Sequence, residues 1–437
     1  KTYLDTQTME QLSKWCGISV TDIEKLTDIF CSTAKIPLVA YTGLEYQLSA
    51  IQNNRAIFVL WAITGKLDAP GAIYLNAKGL ETPKLFEIPE DDKPIGVDEF
   101  PLFYKFSGQG QFSRFPKAVL EDEPYPVRGL MILGGSPVLS FPDSKSWREA
   151  YKKLDCLIVL DRYFTEDARY ADVVFPACSL FEVPKAVPGP EGPHIVEPLI
   201  EPVGESKNDV LIMGAIAKKL GFGDKLPQTE EELRSWLLSG TAPYAGDFGT
   251  SADQKKEKHY KKYETGELRA DGKPGFPTPS GKLEICSTIL EENGFVPYPE
   301  YKDVRSIPEL AGKEYPFTMT SGARSNNRMG VFGANLDKIA EIEPYPFVDI
   351  NAEDAKEIGI EDGDMVKVIT PFADGTFKAK IRGIARHAIH IPHGGGSAYM
   401  TEPWKNGNVN DLCSLDYADP MTGFVLIKSV PCRVEKI

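Results

Sequence analysis

Two apolar runs in this chain stop at the kinds of residue a ligand needs, and that constrains the fold more than anything else in the sequence. Gly129-Leu130-Met131-Ile132-Leu133 runs into the turn Gly134-Gly135-Ser136-Pro137, and Cys156-Leu157-Ile158-Val159-Leu160 ends on Asp161. Short unbroken apolar runs bounded by turn signals read as buried strands, as in a parallel sheet covered by helices. In such a sheet the ligand lies beyond the carboxyl ends of the strands. The glycine turn would present backbone amides to a phosphate there, and Asp161 would present a hydrogen-bond acceptor.

The bulk properties fit a large globular protein. At 437 residues the chain has room for about three domains with more than one core. No window approaches the run of about 18 apolar residues that a membrane span needs. The formal charge of −14 repels anions overall, so an anionic ligand has to be held by local amides and single cations. The nearest thing to a basic block, residues 255–262, is broken by Glu257 and reads as a solvated loop, not a nucleic-acid patch. The 7 cysteines are scattered with no Cys-x-x-Cys, which argues against an iron–sulfur cluster or structural zinc within these residues. An odd number without close pairs suits reduced thiols, favouring a cytoplasmic setting slightly and leaving a periplasmic one open.

Hydrophobic periodicity predicts helices within residues 8–34, broken at Gly17, with Thr21 and Glu24 as a capping box. It then predicts a strand over 36–41 and a helix over 47–64 closed by Gly65. Strands 129–133, 156–160 and 172–175 follow, with helices over 143–153 and 209–220. From Tyr315 the texture changes to short strands over 317–320, 347–350, 365–370, 376–381 and 389–391, which suggests a small barrel. The expected division is a partial α/β domain (1–78), an α/β dinucleotide-binding domain (79–225), an irregular connection (226–312) and a β-barrel (313–437). Phe276-Pro277-Thr278-Pro279-Ser280-Gly281-Lys282 reads as a rigid turn. Neither a Gly-x-Ser-x-Gly elbow nor a His-Glu-x-x-His helix is present to support hydrolase chemistry.

A second constellation opens the barrel. Residues 320–330 read Thr-Ser-Gly-Ala-Arg-Ser-Asn-Asn-Arg-Met-Gly directly after a strand. Small residues permit close backbone approach, Arg pairs with phosphate, and Asn reads a heterocycle edge. Taken alone, the segment reads equally well as a polar surface loop.

The Gly134–Pro137 turn, together with Asp161-Arg162-Tyr163-Phe164-Thr165-Glu166-Asp167-Ala168, resembles the nucleotide-binding signature of the molybdopterin oxidoreductases, the dimethyl-sulfoxide-reductase and formate-dehydrogenase family. There a Gly-x-x-Pro turn and an Asp-x-x-x-Thr-Glu-x-Ala segment hold molybdopterin guanine dinucleotide. The resemblance implies Rossmann-like parallel-sheet domains followed by a C-terminal six-stranded double-psi type β-barrel. It implies bis(molybdopterin guanine dinucleotide) carrying molybdenum or tungsten. Gly134, Gly135, Ser136, Pro137, Asp161, Thr165 and Asp172 would bind on the sheet side. Ser321, Gly322, Ala323, Arg324, Ser325 and Asn326 would bind on the barrel side. Pro392-His393-Gly394 resembles a segment near the pterin, Asn408-Val409-Asn410-Asp411-Leu412 and Asp419-Pro420-Met421-Thr422-Gly423 an Asn-x-Leu and Asp-Pro-x-x-Gly pair, and Lys428 a pterin-side cation. His393 by itself reads as a structural histidine, and the catalytic residues stay unassigned.

Departures from the family matter equally. Its members open with a Cys-rich iron–sulfur segment and supply a metal ligand upstream of the portion seen here, so the chain is expected to be the carboxy-terminal part of a larger enzyme. Where formate dehydrogenases carry Arg-Gly-Gln-Asn-Asn, residues 72–79 read Ala-Ile-Tyr-Leu-Asn-Ala-Lys-Gly, which disfavours formate. The expected partners are a small-molecule substrate and an iron–sulfur electron-transfer subunit, with no nucleic acid and no membrane span. The competing readings are a cofactor-free scaffold of the same fold and a non-redox hydratase.

Overall fold

The computed structural model describes residues 2–75, 93–187, 193–239, 259–322 and 337–437. The chain divides into two compact units, one of residues 1–42, 52–81 and 256–300, the other of 43–51, 82–255 and 301–437.

In the first unit, helices Met9–Cys16 and Val20–Ser32 meet at Gly17, whose φ of +70° suits a residue without a Cβ. The cap of the second helix is Ser19, not the expected Thr21. Ser19 keeps an extended backbone, accepts from the Asp22 amide at 3.1 Å and donates to the Asp22 carboxylate at 2.7 Å, while Thr21 already lies in the helix. The strand expected over 36–41 does not form. Its residues have no ladder partner among the described residues, and Val39 and Tyr41 are 94% and 84% exposed. β-propensity alone does not make a strand without a neighbour to pair with. Lys262 overturns its expected place in a solvated loop. It is buried, with its ammonium 2.6 Å from Asp68 Oδ1, 2.8 Å from the His259 carbonyl and 3.8 Å from the centre of the Tyr74 ring. Burying that charge is tolerable because Asp68 pairs with it. Residues 276–282 form the expected rigid turn, closed by the Phe276 amide on the Gly281 carbonyl at 2.9 Å and by Thr278 Oγ1 on the Lys282 carbonyl at 2.6 Å.

The second unit holds a sheet and a barrel. Strands β1 (Gly129–Leu133), β2 (Cys156–Asp161) and β3 (Val173–Pro176) are parallel, in that order across the sheet. Helix Ser144–Lys153, capped by Asp143, covers them. It carries Trp147, fully buried and stacked on Phe115 with ring centres 5.5 Å apart. β4 (Lys185–Val187) and β5 (His194–Val196) form a small antiparallel pair that the sequence did not suggest.

The six-stranded barrel comprises β6 (Phe317–Gly322), β7 (Phe347–Asn351), β8 (Met365–Ile369), β9 (Asp374–Arg382), β10 (Ala388–Pro392) and β11 (Lys428–Lys436), closed in the order β10-β6-β11-β8-β9-β7. β6 runs parallel to β10, and β7 parallel to β9. Alternating side chains fill the interior: Phe317 and Met319, Val366 and Val368, Phe377 and Ala379, Ile389 and Ile391, Val430 and Cys432. β11 escaped the pattern reading because Pro431 interrupts it. None of the helices among the described residues is long and apolar enough to cross a membrane.

Candidate functional site

Two strand ends build the sheet side. The β1/β2 register runs Leu133 against Leu160, and the Gly134 amide extends it by donating to the Leu160 carbonyl at 2.9 Å. Gly134 therefore turns the chain at φ +59° but has no amide left for a ligand; Gly135 and Ser136 supply the turn's remaining ones. The Ser136 hydroxyl donates to Asp167 Oδ2. Asp167, fully buried, also accepts from the Val138 amide at 3.1 Å and the Tyr151 hydroxyl at 2.8 Å. Burial pushes the Asp167 carboxyl up while those three donors pull it down. Burial, with Asp167 beside it, drives the Tyr151 phenol far upward. The turn is thus braced by a residue 31 positions along the chain from Ser136.

Asp161 ends β2 half-buried. Its Oδ1 accepts from the Tyr163 amide at 3.0 Å, and its second oxygen has no hydrogen-bond donor among the described residues. Asp209, opening the helix Asp209–Lys219, is raised by burial first and by Asp161 next. This corner is negative and chemically suits hydrogen-bond donors such as an N–H or O–H. Thr165 Oγ1 caps the short turn Asp167–Arg169 through the Ala168 amide at 3.3 Å. Asp172 does not join the group. It precedes β3 at the amino ends of the strands, away from the glycine turn, with Oδ2 accepting from the Leu157 amide at 2.7 Å.

On the barrel side, β6 and β10 finish together, with Ser321 opposite Ile391 and Gly322 opposite Pro392. Ser321, Gly322, half-buried His393 and buried Gly394 therefore share one end of the barrel. Ser321 Oγ donates to the Ile427 carbonyl at 2.9 Å. Lys428 arrives through a bulge. Ser429 sits at φ +66°, and the register steps from Lys428 opposite Thr320 to Val430 opposite Met319. In a regular strand the two-residue period would send Lys428 into the core beside Val430; the bulge turns it to the other face. There its ammonium donates to the Ser321 carbonyl beside Gly322, whose φ is +125° and whose missing Cβ leaves the room that the ammonium takes.

Lys428 is only 9% exposed and has no carboxylate partner among the described residues. Burial lowers its pKa below the ordinary lysine value. The neighbouring Cys413 thiol, pushed up to about 12 by burial, stays neutral and offers no counter-charge. A buried cation without an anion is a costly arrangement that an anionic ligand would relieve. Ala323, Arg324, Ser325 and Asn326 lie outside the described residues.

The two sides touch within this unit. Buried Asn410 donates from Nδ2 to the Leu139 carbonyl at 2.7 Å, and the Asp143 amide donates to the Asn410 carbonyl at 3.0 Å. Asn410 thus ties the barrel chain to the helix after the glycine turn. Glu166 was expected only as part of the Asp-x-x-x-Thr-Glu-x-Ala segment, and Asp167, Tyr151 and Arg148 were not anticipated in these roles, since nothing in local sequence pattern links residue 136 to 167 or 148 to 396. On β10, His390 Nδ1 lies 2.9 Å from Asp349 Oδ2, and its Nε2 is buried with no hydrogen-bond partner among the described residues.

Comparison with known proteins agrees with this geometry. A family model described as Molybdopterin oxidoreductase matches residues 45–219, and one described as Molydopterin dinucleotide binding domain matches residues 318–431. The alpha subunit of a formate dehydrogenase from Methanocaldococcus jannaschii is 26% identical over 90% of this chain and 58% of its own length. A Bacillus subtilis protein described as "Probable oxidoreductase YoaE" is 28% identical over 98% of the chain and 60% of its own length. The chain thus spans roughly three-fifths of these relatives. Among solved structures, acetylene hydratase from Pelobacter acetylenicus shares the fold with a TM-score of 0.81 at 21% identity, covering 100% of this chain and 66% of that one. With a sheet edge and a barrel end matched by consecutive family models, the chain belongs to the molybdopterin oxidoreductase family and carries its dinucleotide-binding domain.

Proposed function

We propose that this chain holds the two dinucleotide arms of a bis(molybdopterin guanine dinucleotide) centre in an enzyme that carries out two-electron or oxygen-atom transfer. The observation that carries the reading is Lys428, a buried ammonium without a carboxylate partner among the described residues, set against Gly322, whose φ of +125° few other residues adopt. An anionic, flat and extended group fits that demand: Lys428 would face an anionic oxygen, and Gly322 and Gly394 would permit close approach. On the sheet side, the Gly135 and Ser136 amides would take phosphate, and the second oxygen of Asp161 would accept from ribose or guanine. The segment Ser321–Asn326 and the Gly134–Pro137 turn would serve different dinucleotides, with Arg324 adding a charge-assisted contact on the order of 2 kcal/mol. When bound, the cofactor's metal, molybdenum or tungsten, supplies the redox chemistry; the protein supplies placement and electrostatics.

Equilibrium titration of this chain with guanosine diphosphate tests the reading. Saturable binding that weakens in Asp161→Ala and Lys428→Met supports it; binding unchanged in both variants, with folding intact, overturns it. The substrate is a small molecule reduced or oxidised at the metal, with electrons exchanged through an iron–sulfur partner subunit. A cofactor-free scaffold is disfavoured because it would have no use for an uncompensated buried lysine. The hydratase alternative keeps the same fold, and dye-linked electron transfer by the loaded enzyme separates the two.

A further inference from the structure

The loop after β10 has little rigidity of its own. Gly394, Gly395 and Gly396 all have positive φ, at +139°, +96° and +92°. Three consecutive glycines have a broad conformational range, so whatever fixes this loop must lie outside it. Within the loop's own side of the molecule, the Gly396 amide donates to the Trp404 carbonyl at 2.8 Å. Ser397 also accepts from the Tyr399 amide at 3.2 Å and the Met400 amide at 3.1 Å, and further ties come from the sheet side. Glu166, only 3% exposed, accepts from the Ala398 amide through Oε2 at 3.0 Å. Arg148 donates from Nη2 to the Gly396 carbonyl at 3.2 Å, and its Nε lies 3.9 Å from Glu166 Oε1. Arg169 holds the same carboxylate at 2.9 Å, and the Phe164 and Tyr399 rings meet edge to face at 5.6 Å.

Glu166 stands on a segment with no slack. Asp161 is bonded to the Tyr163 amide, Thr165 to the Ala168 amide, and Asp167 to Ser136 and Val138. A ligand that fixes Asp161 and the Gly134–Pro137 turn therefore fixes Glu166, and Glu166 holds the backbone of the glycine loop. We propose that Glu166 is a positioning residue that couples nucleotide occupancy at the β2 end to the conformation of the Gly394–Tyr399 loop, so that the sheet side and the barrel side fill in concert. The proposal rests on the nucleotide reading above.

Hydrogen exchange read by mass spectrometry, on this chain with and without guanosine diphosphate, tests it. In the unsubstituted protein the nucleotide slows exchange in peptides covering 134–139 and 161–168, and slows the peptide covering 394–400 by about tenfold, the size of one hydrogen bond. In Glu166→Ala the first two peptides still respond and the third does not. In Glu166→Gln, which keeps a carbonyl oxygen for the Ala398 amide, the loop's response returns. A merely structural Glu166 would change the loop's resting exchange but leave its response to nucleotide intact, and that result overturns the proposal. So does a loop that ignores nucleotide in the unsubstituted protein while the turn responds, an outcome that spares the nucleotide reading. No response in any peptide overturns both. If Glu166→Ala does not fold, Arg148→Leu serves instead: it removes the Gly396 contact and halves the loop's response, and an undiminished response counts against the coupling.

Discussion

The sheet edge and the barrel end, both proposed to face a dinucleotide, arrange their polar groups in opposite ways. At the sheet edge the polar groups satisfy one another: Ser136, Val138 and Tyr151 all donate to Asp167, Thr165 caps its own turn, and Asp161 keeps one oxygen for itself. At the barrel end a buried ammonium is left with a carbonyl and, among the described residues, no counter-ion. The first arrangement fixes a shape before the ligand comes. The second keeps an electrostatic demand that an anionic ligand would satisfy. Substitutions should therefore damage stability on one side and binding on the other.

The largest effect is expected from Asp167→Ala, which strands three buried donors and should cost about 3 kcal/mol of stability in urea denaturation. A cost near zero would mean the turn is held by something other than Asp167 and would erase the contrast. Next comes Lys428→Met. It should weaken guanosine diphosphate or whole-cofactor binding by about 2 kcal/mol while leaving the unliganded protein as stable as before, or more so. A destabilised apoprotein would place Lys428 with the self-satisfied groups instead.

Asp161→Ala should weaken nucleotide binding by about 1.5 kcal/mol, read by titration, with Thr165→Ala below about 1 kcal/mol because its hydroxyl only caps a short turn. The smallest effect is a pH dependence. Burial lowers the Lys428 pKa from 10.5, so the folded unliganded chain binds fewer protons than the unfolded chain in the window just below that value. Stability from this group should accordingly rise as pH rises through that window, the burial penalty being fully present below the folded pKa and relieved toward 10.5. Denaturation at a series of alkaline pH values should show the rise in the unsubstituted chain and its loss in Lys428→Met. A bound anion should abolish it as well.

Much of this was legible in the chain. The apolar runs 129–133 and 156–160 became adjacent parallel strands, and the alternating segments after 315 became barrel strands within a residue or two at most ends, since period-2 patterning follows directly from one buried face. Residues 36–41 misled because their composition suits a strand, and pairing is not a property of composition. Asp172, near Asp161 in sequence, lies at the opposite end of the strands because β2 and β3 run parallel, which the sequence spacing alone does not show.

The sequence by itself determined which residues could be buried, where turns must fall, and that a glycine turn and a carboxylate end neighbouring strands; these are local matters of period, backbone freedom and residue chemistry. Only the tertiary structure decided that Asp167 braces Ser136, that a bulge at Ser429 turns Lys428 out of the core toward Gly322, and that Glu166 and Arg148 hold the glycine loop from the other side. Each of those depends on a contact between residues far apart in the chain or on one extra residue in a strand register. Burial and pairing are set by what the completed fold brings near, and no local pattern encodes them.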